Sequence, residues 1–177
     1  MLELLHELLP SVRIVALLVN PTDPALAEAS KSAVLAAAHN LELELQILNA
    51  SSEHDFDGVF KKMTELRAGA LMIGGAALFT SHSEQLAALA IRHGVPAFYK
   101  GREFVAAGGL AAYGSDITDS YRLAGNYTGR VLKGEKPADL PVQRATKIRL
   151  IINFKTAKAL GITIPLPVSG RADEVIE

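Results

Sequence analysis

The chain has 177 residues, a formal net charge of −1 and no cysteine. A near-neutral balance without a basic block excludes a nucleic-acid surface, which needs clustered Lys and Arg to displace counterions. The missing thiols exclude disulfides, thiolate metal sites and cysteine nucleophiles.

The length holds one domain with a real core, or one lobe and a piece of another. Ala and Leu dominate the hydrophobic share and aromatics are few, which suits helices on a parallel sheet better than an all-β sandwich. No apolar run reaches the roughly 18–20 residues of a membrane span. The opening MLELLHELLPSVR is amphipathic and carries Glu3, His6 and Glu7, unlike a secretory signal. On that ground the protein is cytosolic, or the segment with its address is missing.

Apolar residues at 2, 4, 5, 8 and 9 predict a first helix, stopped by Pro10. Residues 12–19 (VRIVALLV) predict a buried strand, ended by Asn-Pro-Thr-Asp-Pro. A helix follows to about Asn40, with Pro24 near its start and Asp23 or Thr22 as cap. Residues 41–48 (LELELQIL) alternate strictly and predict a half-exposed edge strand. Ser51-Ser52 caps a helix over 53–67.

Residues 70–73 form a short apolar strand ending in Gly74-Gly75-Ala76. A helix over 81–93 leads to a fourth strand at 95–99, ending in Lys100-Gly101-Arg102. A short helix closes at Gly108-Gly109. A fifth strand over 110–113 runs into Gly114-Ser115-Asp116, and Asp116 caps a long helix to about Leu132. Strands alternating with helices predict an α/β fold with a doubly wound parallel five-stranded sheet. The stretch 128–165 then adds a Pro-rich connector, one apolar strand at 148–152, a short helix and a Pro stop. A lone strand needs a partner for its backbone groups. The tail therefore joins the preceding sheet or belongs to a second body.

In an open α/β sheet, ligands bind beyond the carboxyl ends of the strands. Those ends carry Asn20, Thr22 and Asp23 after the first strand and Gly74, Gly75 and Ala76 after the third. Tyr99, Lys100 and Arg102 follow the fourth; Tyr113, Ser115 and Asp116 follow the fifth. Capping and turn formation explain any one of these residues; as a set they read as a ligand-facing rim. Lys100 and Arg102 could hold a carboxylate, Asp23 and Asp116 an ammonium group. Phe79 and Tyr99 could stack on a ring, although such residues are more often core. There is no HExxH, P-loop, GxSxG elbow or GxGxxG after the first strand. The five histidines show no metal-ligand spacing.

The phrases ELLPSVRIVALLVNPTDP, IGGAALFTSHSEQLAALAIRHGVPAFY, REFVAAGGLAAYGSD, DSYRLAGNYTGRVLKGEKPADLPV, INFKTAKALGITIP and RADEVIE, in that order, cover essentially the whole chain. On them it resembles the ABC-transporter substrate-binding proteins of the type I periplasmic-binding-protein fold, in the branch that includes aromatic amino-acid binders. The resemblance implies a non-catalytic solute-binding component of an importer, extracytoplasmic when full-length, with no cofactor. It would close two lobes over a small polar ligand, such as an amino acid, and deliver it to a permease. It places ligand-side loops at Asn20-Pro21-Thr22-Asp23, Gly74-Gly75-Ala76 and Tyr113-Gly114-Ser115-Asp116. Relatives often carry an acidic or polar residue where Ala76 stands.

Family members are nearly twice this length. The expectation is therefore that residues 1–115 are the second lobe, and 116–177 a crossover helix and a tail returning to the first lobe. Such a chain would hold about half the site. An unpaired strand at 148–152 would favour a homodimer through the tail. Two other readings stay open: the ligand-sensing domain of a regulator, and a cytosolic α/β enzyme using Asp23, Lys100 and Asp116.

Overall fold

The computed structural model describes residues 1–143 and 147–177. Residues 144–146, within the connector ahead of the tail strand, lie outside the described residues. Five parallel strands form the body of the sheet: β1 (Ile14–Val19), β2 (Glu44–Asn49), β3 (Ala70–Ile73), β4 (Ala97–Tyr99) and β5 (Ala111–Ser115). Two more strands extend it, β6 (Ile148–Asn153) and β7 (Glu174–Ile176). The order is β2-β1-β3-β4-β5-β6-β7.

Helices cover both faces, so the central strands are apolar on both sides and read as continuous hydrophobic runs. Leu17 and Val19 of β1 face α1 (Leu2–Leu8), α2 (Pro24–Asn40), α8 (Phe154–Ala159) and α9 (Leu166–Ser169). Ala16 and Leu18 face α3 (Phe56–Leu66), α4 (Ala77–Ser81), α5 (Ser83–Arg92) and α6 (Arg102–Ala106). The second face holds the aromatic core of Phe56, Phe60, Phe79, Tyr99 and Phe104. β2 stands at the edge, as its alternation predicts. Asp23 caps α2 by accepting from the Leu26 amide, with Pro24 at the first helical position. The short α4, too brief to show a helical period, is absent from the sequence reading.

The tail requires a correction. Its strand does not return to another lobe: β6 pairs antiparallel with β5, from Ala111↔Ile152 to Ser115↔Ile148, and β7 pairs parallel with β6. The sheet therefore has seven strands, and residues 148–177 belong with 1–115. Side chains hold the join. Asn153 is buried; its Nδ2 donates to the Val105 carbonyl at 3.0 Å and its Oδ1 accepts from the Thr156 amide at 2.9 Å. Thr156 Oγ1 donates to the Gly108 carbonyl at 2.9 Å. With β5 on one side of β6 and β7 on the other, the unpaired edge behind the expected homodimer does not exist.

The segment that lacks a neighbour is the helix before it, α7 (Ile117–Leu132). Ile117, Tyr121, Ala124 and Val131 recur at helical spacing and form an apolar stripe. Yet no residue of α7 is buried, and Tyr121 is 74% exposed. After α7 the chain doubles back: Arg130 Nε donates to Glu135 Oε2 at 2.9 Å, and the Tyr127 hydroxyl donates to the Pro141 carbonyl. The excursion closes at its base, where the Asp116 amide donates to the Lys147 carbonyl at 2.9 Å and Lys147 Nζ lies 3.6 Å from Asp116 Oδ2.

Candidate functional site

Because β6 and β7 run against β1–β5, the rim holds the ends of five strands and the beginnings of two. The strand order turns at β1, which has β2 on one side and β3 on the other. That is the switch point where an open α/β sheet offers its crevice. The loops there are the two the sequence singles out, after β1 and after β3.

Much of the first loop holds itself in shape. Asn20 Oδ1 accepts from the Thr22 amide at 3.0 Å and from Thr22 Oγ1 at 2.8 Å, forming an Asx turn. Asp23 is the α2 cap. The second loop begins with a close approach. The Gly74 amide donates to the Leu18 carbonyl at 2.8 Å, and a Cβ on Gly74 would lie 2.8 Å from that same oxygen. Only glycine lets β3 leave the sheet so near β1.

Gly75 is where the rim meets. A Cβ at this position would lie 3.6 Å from Lys100 Nζ and 3.9 Å from Leu26 Cδ2. Lys100 in turn crosses β5: a Cβ on Gly114 would lie 2.5 Å from the Lys100 carbonyl oxygen. Asp23, Leu26, Gly75, Lys100 and Gly114 thus form one connected line across the ends of β1, β3, β4 and β5. Leu26 escapes the sequence reading. Its signal is an apolar residue in the first turn of a helix, 40% exposed, where polar residues are the norm.

Three candidates are placed elsewhere. Phe79 is fully buried and Tyr99 is 2% exposed; both lie in the aromatic core and neither ring can stack on a ligand. The Tyr99 hydroxyl meets Thr80 Oγ1 at 2.7 Å, and burial raises its pKa above the ordinary phenol value. Tyr113 lines a cleft of about 310 Å³ beside α1, with Glu3, Ile148 and Arg171 among its other walls. A second cleft of about 470 Å³ lies along Phe154 to Ile164. Neither touches the line through Gly75.

The charged candidates separate by partner. Arg102 is committed to Glu174, its Nη2 2.6 Å from Glu174 Oε1 and its Nε 3.1 Å from Oε2. Asp116 accepts from the amides of Thr118 and Asp119. Desolvation raises its pKa, but those amides, with Lys147 and Arg149, hold it below the ordinary carboxylate value. Ser115 is exposed beside it at the end of β5. Lys100 is exposed and has no ion-pair partner among the described residues. Ala76 is 5% exposed and adds only a methyl group and its backbone. Among the described residues, no group of three or more His, Asp or Glu is placed to hold a metal ion, and no helix is long and apolar enough to cross a membrane.

A doubly wound α/β lobe with a connected rim at its switch point defines the class: an α/β lobe of the periplasmic-binding-protein kind. The family follows from the sequence: the model for ABC transporter substrate binding proteins matches residues 1–176, and the chain belongs to that family. No curated protein matches it. Among solved structures, it is similar to an ABC domain in complex with L-Trp from Streptococcus pneumoniae, at 27% identity and a TM-score of 0.86 over 98% of this chain and 60% of that one. It is also similar to a conserved domain protein from Vibrio cholerae, at 26% identity and a TM-score of 0.85 over 98% of this chain and 58% of that one. A substrate binding protein with adhesive properties from Clostridium difficile, in its ligand-free open structure, shares the fold at 20% identity and a TM-score of 0.70, over 99% of this chain and 58% of that one. The chain therefore spans about three fifths of the length of the structures it matches.

Proposed function

We propose that this chain is the ligand-binding lobe of a non-catalytic solute-binding protein serving an ABC importer. Its rim would form one wall of a site for a small polar solute, with an amino acid as the leading candidate. Family membership over residues 1–176 carries the reading, and similarity to the L-Trp complex favours the amino-acid class. Such proteins act by hinge closure of two lobes over the ligand, so affinity depends on contacts from both. The neighbours' greater length supplies room for a second lobe, against which the bare stripe of α7 would pack. Residues 1–115 and 148–177 would then be one lobe, and the excursion 116–147 its reach into the other. Delivery to a permease and an extracytoplasmic location belong to the same reading.

Calorimetric titration of the protein with L-amino acids, sugars and short peptides tests it. Saturable heat with one solute, without chemical change to that solute, is the expected result. Turnover of a substrate in place of reversible binding would overturn it.

A further inference from the structure

One carboxylate serves both segments at the base of the excursion. Asp116 stands just after β5, and Lys147 just ahead of β6. Asp116 Oδ1 accepts from the Thr118 and Asp119 amides at 3.0 and 3.3 Å, so it holds the departing helix. Asp116 Oδ2 faces Lys147 Nζ at 3.6 Å, on the returning segment. The Asp116 side chain is 12% exposed, which lessens the screening of that pair. Packing does not fix the direction of α7, which buries no residue. The excursion is braced within itself, because Arg130 and Tyr127 tie α7 to Glu135 and Pro141. It therefore turns as one body about its base. A helix of 16 residues is about 24 Å long, so a turn of about 10° at the base carries its far end about 4 Å.

We propose that the Asp116 carboxylate is a clasp, with one oxygen on each segment, that fixes the direction in which the excursion leaves this lobe. The Oδ1 bonds alone are ordinary helix capping. The Oδ2 contact makes the residue more than a cap, because it ties the start of α7 to the segment that returns. A partly exposed ion pair is weak. That suits a joint, which biases one direction without preventing another. Under the solute-binding reading the excursion reaches into the second lobe. Its direction is then the angle between the lobes, and Asp116 is a positioning residue for their closure. This consequence rests on that reading; the clasp itself does not.

The chain has no cysteine, so nitroxide labels can be placed at Lys133→Cys, just after α7, and at Lys61→Cys, an exposed position of α3. Distances between the labels are measured by pulsed electron resonance, without solute, in the labelled parent, Asp116→Asn, Lys147→Met and the double variant. Asp116→Asn keeps an oxygen for the helix amides and loses the charge; Lys147→Met leaves the cap untouched. The expected result is one dominant distance in the parent, whose ratio to all others falls about two- to fivefold in each single variant. The double variant should fall no further than either single, because both remove the same contact. Arg122→Gln, which breaks a pair within α7, should leave the distances unchanged. Identical distances in the parent and Lys147→Met reduce Asp116 to a helix cap and overturn the clasp. So does a parent without a dominant distance, or a double variant whose effect is the sum of the singles. Because no solute is present, none of these outcomes touches the solute-binding reading, which stands or falls on its own titration.

Discussion

Arg102 Nε lies 2.9 Å from Glu174 Oε1, joining residues 72 positions apart in the chain. Arg149 reaches the same carboxylate, with its Nη2 3.2 Å from Oε2. The pair ties the loop after β4 to the start of β7 across the ends of β5 and β6, and it holds the fold's last strand in place. It also gives the Arg102 guanidinium a carboxylate partner within the fold.

The Arg102 hydrogen bond and charge, assisted by Arg149, hold the Glu174 carboxyl below its ordinary value, against the opposing effect of desolvation. A depressed folded-state pKa means that the fold favours the ionised form. Its contribution is therefore present above the unfolded carboxylate pKa and is lost as pH falls through the folded value. Thermal melts across acidic pH should show wild type losing stability faster than Glu174→Gln on acidification, and the two converging in acid. A Glu174→Gln profile parallel to wild type would show that the pair contributes nothing.

Asn153 links the tail to α6 with a buried side chain. Asn153→Ala should leave the Thr156 amide without a partner and the Val105 carbonyl with the Gly108 amide alone, costing about 1–3 kcal/mol in urea unfolding. A change under about 0.5 kcal/mol, the scale of an ordinary surface substitution, would mean that water replaces both bonds.

Two glycines make an opposed pair. Gly114→Ala would drive a methyl group into the Lys100 carbonyl, 2.5 Å away, and should cost about 1–3 kcal/mol by displacing the strand above it. Gly58 lies in α3, with nothing within 4 Å of a Cβ placed there. Gly58→Ala should stabilise by about 0.4–1 kcal/mol. Chemical denaturation of both variants reads the difference in sign.

Phe79 tests the division between core and rim. Buried against Phe56 at a centroid distance of 6.2 Å, it should cost about 3–5 kcal/mol when truncated to Ala. Equilibrium unfolding showing a loss below about 1 kcal/mol would return it to the candidate ligand contacts.

The backbone hydrogen bonds of α7 are supported by no buried face, and an isolated helix of this size is marginal in water. Hydrogen exchange should find its amides among the least protected of the long helices, well behind those of α3, which buries Phe56, Val59, Phe60 and Met63. Protection of α7 equal to that of α3 would mean that its stripe is covered in solution.

The sequence disclosed the parts of the fold governed by local pattern. The apolar runs of β1 and β3, the alternation of β2 and the caps at Asp23 and Asp116 all stand where periodicity and capping chemistry put them. Long-range pairing was not disclosed. Nothing in residues 148–152 says that their neighbour is β5, and Glu174–Ile176 is too short to show a strand's alternation. The rim was legible as a set of strand ends, but not the direction of each side chain. Tyr99 ends β4 and could have faced the crevice; the phase of its strand turns it into the core. Arg102 and Lys100 look alike in sequence, and only the distant Glu174 tells them apart.

Ser115 and Ile148 are register partners, so the chain leaves and re-enters this lobe through a single doorway. Topologically, β5 and β6 are an ordinary hairpin, and everything from 116 to 147 is an insertion at its tip. A two-residue Asn-Gly turn would satisfy the same pair of strands. The excursion can therefore lengthen, shorten or be exchanged between homologues without disturbing the ladder that supports the rim.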